Sequence, residues 1–262
     1  MLAIMEHLGR RTVRGLDELG YAGSLLGESL FYTVFGRRLR QPVRAASVVA
    51  QMIHVGIEAL PIATLLATAI GFMLAVQSLY SLGLFGAQSF AHVGIGLALV
   101  REFAPLIIGV LVSGRSGSAL AARLSTMTIN QEVDALRAIG INPVRFLVAP
   151  TLLAMVIMLP ALTMWADLVG LAAAGMFVSA SLDVSFAAYV SNTAEVLSVN
   201  DLLHGLGKSV LFAVLIAIIA SVNGSRVTGG SEGVGRVTTR AVVHALSAII
   251  VADMVFGFLA TR

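Results

Sequence analysis

Apolar runs close to the length of a bilayer crossing recur along this chain, and no other feature constrains its fold as strongly. A helix rises about 1.5 Å per residue, so about 20 apolar residues cross the hydrocarbon core. The first run is "ALPIATLLATAIGFMLAVQSLYSL", from Ala59 to Leu82. The second extends from about His92 to Val112, and the third from Phe146 to about Ala180. The fourth covers Leu206 to Val222 and the fifth Ala241 to Ala260. Backbone polar groups in hydrocarbon must satisfy one another, which makes such runs helices. Of the 262 residues, 58% are hydrophobic and only 12% charged, too few charges to cover a soluble domain of this size. The expected fold class is therefore an all-α integral membrane protein with five transmembrane helices. A helix leading into the first run is expected from near Val43, and the third run is long enough for one tilted helix.

The basic residues sort by loop. Arg10, Arg11, Arg14, Arg37, Arg38, Arg40 and Arg44 precede the first run. Arg115, Arg123, Arg137 and Arg145 lie between the second and third, and Arg226, Arg236 and Arg240 between the fourth and fifth. The other two loops hold neither Lys nor Arg. The positive-inside rule then predicts a cytoplasmic N-terminus and an external, periplasmic C-terminus. This sorting, rather than nucleic-acid binding, accounts for the pI of about 9.8. No cleavable signal peptide is expected, and the absence of cysteine excludes disulfide and thiolate chemistry. Residues 1–44 read as a cytoplasmic, interfacial helical segment, with Leu19, Leu26, Leu30 and Val34 as an apolar stripe before a basic end. Residues 45–262 form the membrane domain.

Between the second and third runs stands "NQEVDALRAIGINPVRFLVAP". Thr128 with Gln131 makes a capping-box pattern, Asn130 is a second candidate cap, and Gly140 and Pro143 supply a stop. A helix over about 130–140 is predicted, with Ile129, Val133 and Leu136 on one face. A helix of about ten residues is unstable alone and needs a surface, on its own chain or on a cytoplasmic partner. Ser113, Gly114, Gly117, Ser118 and Ala121 just upstream have the small-residue spacing of close helix contacts. The stretch "NGSRVTGGSEGVGRVTTR" before the fifth run reads as a Gly-rich loop.

Ionisable groups inside spans are costly and commonly functional. Arg101 and Glu102 are adjacent, so they point about 100° apart and need different partners. Arg101 suits either an anionic lipid headgroup or a structural ion pair. Lys208 and Asp253 are expected to pair across spans four and five, chiefly for structure. "GGSEGVGR" and "GLGKS" look like phosphate loops, but neither has both the leading Gly and the closing Gly-Lys-Ser/Thr. Any ATP hydrolysis must therefore come from another chain. The five histidines have no metal-ligand spacing.

The segment "GRSGSALAARLSTMTINQEVDALRAIGINPVRFLVAP" resembles the signature of the MlaE, or YrbE, family, the permease subunits of MCE-associated ABC lipid transporters. "LVREFAPLIIGVLVSGRSGSA", "GLGKSVLFAVLIAIIASVNG" and "GGSEGVGRVTTRAVVHALSAIIVADMV" resemble it in the same order, over roughly residues 43–260. Arg123 stands where the family usually has Glu, and Gln131 where an acid is common. The resemblance implies a non-catalytic permease that moves phospholipid between the inner membrane and a periplasmic MCE pathway, supporting outer-membrane lipid asymmetry. It implies a homodimer with an MlaF-like ATPase, an MlaD-like MCE-domain protein and a small MlaB-like STAS-domain subunit. The chain itself would bind no cofactor, ATP and Mg²⁺ being held by the ATPase.

The short helix would be the coupling helix on the ATPase, with Glu132, Asp134, Ala135, Leu136 and Gly140 carrying the match. A lipid cavity would be lined by Leu74, Gln77, Leu82, Phe85, Arg101 and Glu102. Two other readings remain: a rhomboid-like intramembrane serine protease using Ser116 and His244, and an ion-coupled carrier using Glu102, Lys208 and Asp253.

Overall fold

The computed structural model describes residues 2–36 and 43–260, with side chains described over 15–36 and 43–259. Arg37, Arg38 and Arg40 of the expected basic end, and the side chains of Arg10, Arg11 and Arg14, lie outside the described residues. The described residues are helical apart from short connections, without strands. It contains α1 (Leu2–Phe35), α2 (Ala45–Val55), α3 (Leu60–Gly83), α4 (Ala91–Ala98), α5 (Ala104–Val112) and α6 (Ser118–Ile129). There follow α7 (Glu132–Ala138), α8 (Ala149–Leu182), α9 (Phe186–Val196), α10 (Val199–Ser225) and α11 (Gly230–Ala260). Five stretches are long and apolar enough to cross a membrane: Ala45–Gly83, Gln88–Ile129, Val144–Leu182, Val199–Ser225 and Gly230–Leu259. The chain is an all-α, multi-pass membrane protein, as the five apolar runs require.

The loop expected before span five is mostly helix. The fourth span continues to Ser225 and α11 begins at Gly230, which leaves residues 226–229 as the connection. Glycine disfavours an isolated helix by about 1 kcal/mol, but tertiary packing overrides that preference. Val237 and Ala241 of this stretch are buried, and a Cβ on Gly233 would come within 2.2 Å of the Thr228 carbonyl oxygen in the connection just before it.

Helix packing divides the chain into two compact units. The first comprises Met1–Gln51, Arg115–Ala154 and Val214–Ala245. Its core joins Leu120, Ala121 and Leu124 of α6 to Leu147, Val148, Ala220 and Ala241. Leu25 of α1 is buried against Ile218 and Val222 of α10. The expected α1 stripe falls mostly on the other side: Leu19, Leu30 and Val34 are exposed, together with Phe31 and Phe35.

The second unit comprises Met52–Gly114, Met155–Ala213 and Leu246–Arg262. Ala75 and Leu79 of α3, Ala91 and Ile95 of α4, Ala174 and Val178 of α8 and Tyr189 of α9 form one buried cluster. Here α3 and α8 touch through bare backbone. A Cβ on Gly71 would lie 2.1 Å from the Gly170 carbonyl oxygen, so only glycine fits. Replacing Gly71 by Val should destabilise the detergent-solubilised protein by about 2 kcal/mol or more. Gly94, whose Cβ position is open, should accept Ala with little change. Thermal unfolding of the two variants side by side checks both expectations.

Candidate transport site and coupling helix

The second span is not a uniform α-helix. A π-helical turn over Leu99–Phe103 separates α4 from α5, and the N–H of Ala104 bonds the Leu99 carbonyl five residues back. Pro105 follows directly and has no N–H to return to Arg101, so the wider turn meets a local need. Such turns commonly mark functional positions. Arg101 and Glu102 lie on this one.

Both charges are met by α10, at different heights. Arg101 Nη1 donates to Asp201 Oδ1 at 3.4 Å. Lys208 Nζ donates to Glu102 Oε2 and also lies 2.9 Å from Asp253 Oδ1 on α11. His204 Nε2 stands 3.9 Å from Glu102 Oε1, its ring edge-on to Phe256 at 5.0 Å between centroids. Asp201, His204 and Lys208 are spaced i, i+3 and i+7, which puts them on one helix face. The Lys208 side chain has 0% exposure, whereas Glu102 has 44% and Arg101 32%. The result is a fully buried ammonium between two carboxylates, with one acid and one guanidinium left partly open.

Gly205 makes this proximity possible. A Cβ there would fall 2.2 Å from the Val100 carbonyl oxygen, within the π turn. Sequence reasoning did not single out Gly205, His204 or Asp201 as site residues. The available signal was the acidic and basic pair at Asp201 and Lys208, two turns apart on the face that carries His204.

The expected cavity residues on the first span do not share one face. Leu74 is half-buried, and Gln77 is exposed with Nε2 donating to Ser81 Oγ at 3.3 Å. Leu82 turns inward onto the Ala75–Tyr189 cluster, while Phe85 is almost fully exposed.

The short segment before span three forms α7, seven residues rather than about ten. The expected capping box is absent because α6 continues through Ile129, and Thr128 Oγ1 donates to the Leu124 carbonyl inside that helix. Gln131 instead breaks the chain with a left-handed φ of 58°, and the Asn130 amide donates to Glu132 Oε1 at 3.1 Å. The C-terminal stop follows the sequence. Gly140 has φ of +78°, its N–H bonds the Arg137 carbonyl at 3.0 Å, and the Ile141 N–H bonds that of Leu136 at 2.8 Å. This is the paired bond pattern of a glycine C-cap.

Val133 and Leu136 are half-buried, and Leu136 packs on the α6 cluster. Glu132, Asp134, Ala135 and Gly140 are exposed, as is Ile139 at 70%. Asp134 pairs with Arg137 at 3.3 Å. Arg123, the charge reversal upstream, is exposed on α6.

Residues 48–259 match the Permease MlaE family. The chain belongs to the MlaE permease family. It is 31% identical to a probable ABC transporter permease of Rickettsia felis, over 97% of this chain and 96% of the relative. A probable ABC transporter permease of Synechocystis is 34% identical over 86% of each chain. The chloroplastic protein trigalactosyldiacylglycerol 1 of Arabidopsis thaliana is 31% identical over 84% of this chain and 63% of the relative. This MlaE permease is thus the membrane subunit of an ABC transporter, a class that works with an ATPase. Ser116 is half-buried in a π-helical turn and His244 is exposed, and among the described residues no hydrogen bond joins them. The protease reading therefore has no dyad in this structure.

Substitution of Lys208 by Met should cost about 3 kcal/mol, because it leaves two carboxylates facing without a cation. Adding Glu102→Gln and Asp253→Asn to that variant should recover most of the loss. Melting temperatures of the single and triple variants measure the difference.

Proposed function

We propose that this MlaE permease moves phospholipid through the inner membrane of a bacterium, toward or from a periplasmic MCE-domain protein, and so contributes to outer-membrane lipid asymmetry. The observation that carries the reading is a charge cluster, partly open and set among apolar spans, in a chain that also presents a short exposed helix. Partly open Arg101 and Glu102 suit the phosphate and ammonium groups of a headgroup. Exposed apolar residues on α3 and α11, among them Leu65, Phe72, Ile250 and Met254, suit acyl chains of the bilayer or a second copy of the chain. This reading includes a homodimer with a lipid cavity between permeases; Leu74, Gln77 and Phe85 stand at its outer end, whereas Leu82 packs into its own chain.

The exposed side of α7 is the docking surface for an MlaF-like ATPase, which holds ATP and Mg²⁺. Glu132, Asp134, Ala135 and Gly140 face that partner, while Leu136 anchors α7 to its own chain. A small MlaB-like STAS-domain protein completes the cytoplasmic side. The loop charges orient the N-terminus inward, with the exposed apolar face of α1 in the interface. The permease itself makes and breaks no covalent bond. Lys208 and Asp253 serve as structure around Glu102.

The alternative ion-coupled carrier would use the same three charges, and one experiment separates the two. Proteoliposomes holding the permease and its ATPase are assayed for transfer of a fluorescent phospholipid. Transfer should require ATP hydrolysis and should fall about tenfold or more for Arg101→Ala. Transfer that persists with a hydrolysis-deficient ATPase would sink the proposal.

A further inference from the structure

Asn142 stands in the short connection between α7 and span three, and both ends of its side chain are in use. Its Oδ1 accepts the N–H groups of Val144 at 2.8 Å and Arg145 at 3.3 Å, which caps the turn that opens the span. Its Nδ2 donates to Glu28 Oε1 and to the Tyr32 hydroxyl at 3.3 Å, both on α1. One amide therefore ties the exit of α7 to a helix more than a hundred residues earlier in the chain.

Helix α1 has a second set of anchors. Arg226, just after α10, lies 3.6 Å from Glu18 Oε1, donates to the Asp17 carbonyl at 3.4 Å, and sits 5.1 Å from the Tyr21 ring centroid. Leu25 between these two sets is buried on Ile218 and Val222 of α10. A cavity of about 120 Å³ lies among α1, α6, α7 and the start of span three, lined by Tyr21, Leu25, Leu124, Val133, Arg137 and Val144. Val144 also packs against the Leu25 cluster, so α1 meets this connection through both an apolar contact and the Asn142 amide.

We propose that Asn142 is a positioning residue that makes α1 part of the transmission path. Displacement of α7 by the ATPase reaches α1 through the Asn142 amide, and α1 passes it to the end of span four through Leu25 and Arg226. A parallel path runs through Pro143 into span three. The inference rests on α7 being the helix the ATPase engages.

Asn142→Asp separates the two jobs of this side chain. A carboxylate caps helices as well as an amide does, but it cannot donate to Glu28. Glu28→Gln alone keeps the acceptor, and combined with Asn142→Asp it supplies the donor from the other side. The permease–ATPase complex in proteoliposomes is assayed for phospholipid moved per ATP hydrolysed. Asn142→Asp should hydrolyse ATP while moving about fivefold less lipid per ATP, or lower still. Glu28→Ala/Tyr32→Phe, which leaves the cap untouched and removes both α1 acceptors of the amide, should behave alike and serves if the first variant assembles poorly. Glu28→Gln should resemble the unaltered protein, and the Asn142→Asp/Glu28→Gln pair should regain coupling.

Normal lipid per ATP in Glu28→Ala/Tyr32→Phe overturns the inference, as does failure of the Asn142→Asp/Glu28→Gln pair to rescue. Ala135→Arg on the exposed side of α7 tests the underlying reading separately. If it leaves the ATPase bound, α7 is not the docking helix. If it releases the ATPase while Asn142→Asp stays coupled, only the Asn142 path is wrong.

Discussion

A lysine ammonium with no accessible surface must be neutralised by the protein that buries it, and the site around Lys208 depends on that requirement. Glu102 of the second span and Asp253 of the fifth both reach it from their own helices. Leaving either out would strand charge in a region where a few kcal/mol decide whether the fold persists. Three spans are therefore held in a fixed register at one point. Once Lys208 is satisfied, Glu102 is fixed with part of its surface open, and Arg101 is fixed one residue away by Asp201. The pairing leaves two charges, Arg101 and Glu102, partly open among apolar spans.

Close approach of backbones makes this cluster possible. Charges reach one another across helices only when the helices nearly touch, and glycine supplies the room. Gly205 lets α10 lie against the Val100 carbonyl in the π turn, and Gly71 lets α3 lie against Gly170. The turn itself arises where Pro105 withholds a hydrogen bond, so one local defect positions both Arg101 and Glu102. In the other unit the same economy appears in α7. Its glycine C-cap ends the helix sharply, and Asn142 starts the next element while reaching α1.

Much of this was legible in the sequence. The five apolar runs have a length that only membrane helices explain. Gly140 and Pro143 announced the end of α7, and the angle between adjacent residues required Arg101 and Glu102 to find different partners. The start of α7 was not legible, because Thr128 and Gln131 fit a capping box as well as they fit the end of a longer α6. The glycines of residues 223–240 looked like a loop because glycine is a poor helix former unless packing favours it. Partners separated by about a hundred residues, such as Arg101 with Asp201 or Asn142 with Glu28, depend on tertiary contact and leave no local periodicity. The outward face of α1 was visible as a stripe, whereas its inward face around Leu25 was hidden among the same residue types.

The membrane assembly itself offers the most direct measurement. The permease is extracted from its native membrane under mild conditions, purified by a tag, and analysed by mass spectrometry for copurifying proteins and lipids. On the proposed function, two copies of the chain, an ABC ATPase in stoichiometric amount, an MCE-domain protein and bound phospholipid copurify. A preparation with neither an ATPase nor phospholipid would contradict it.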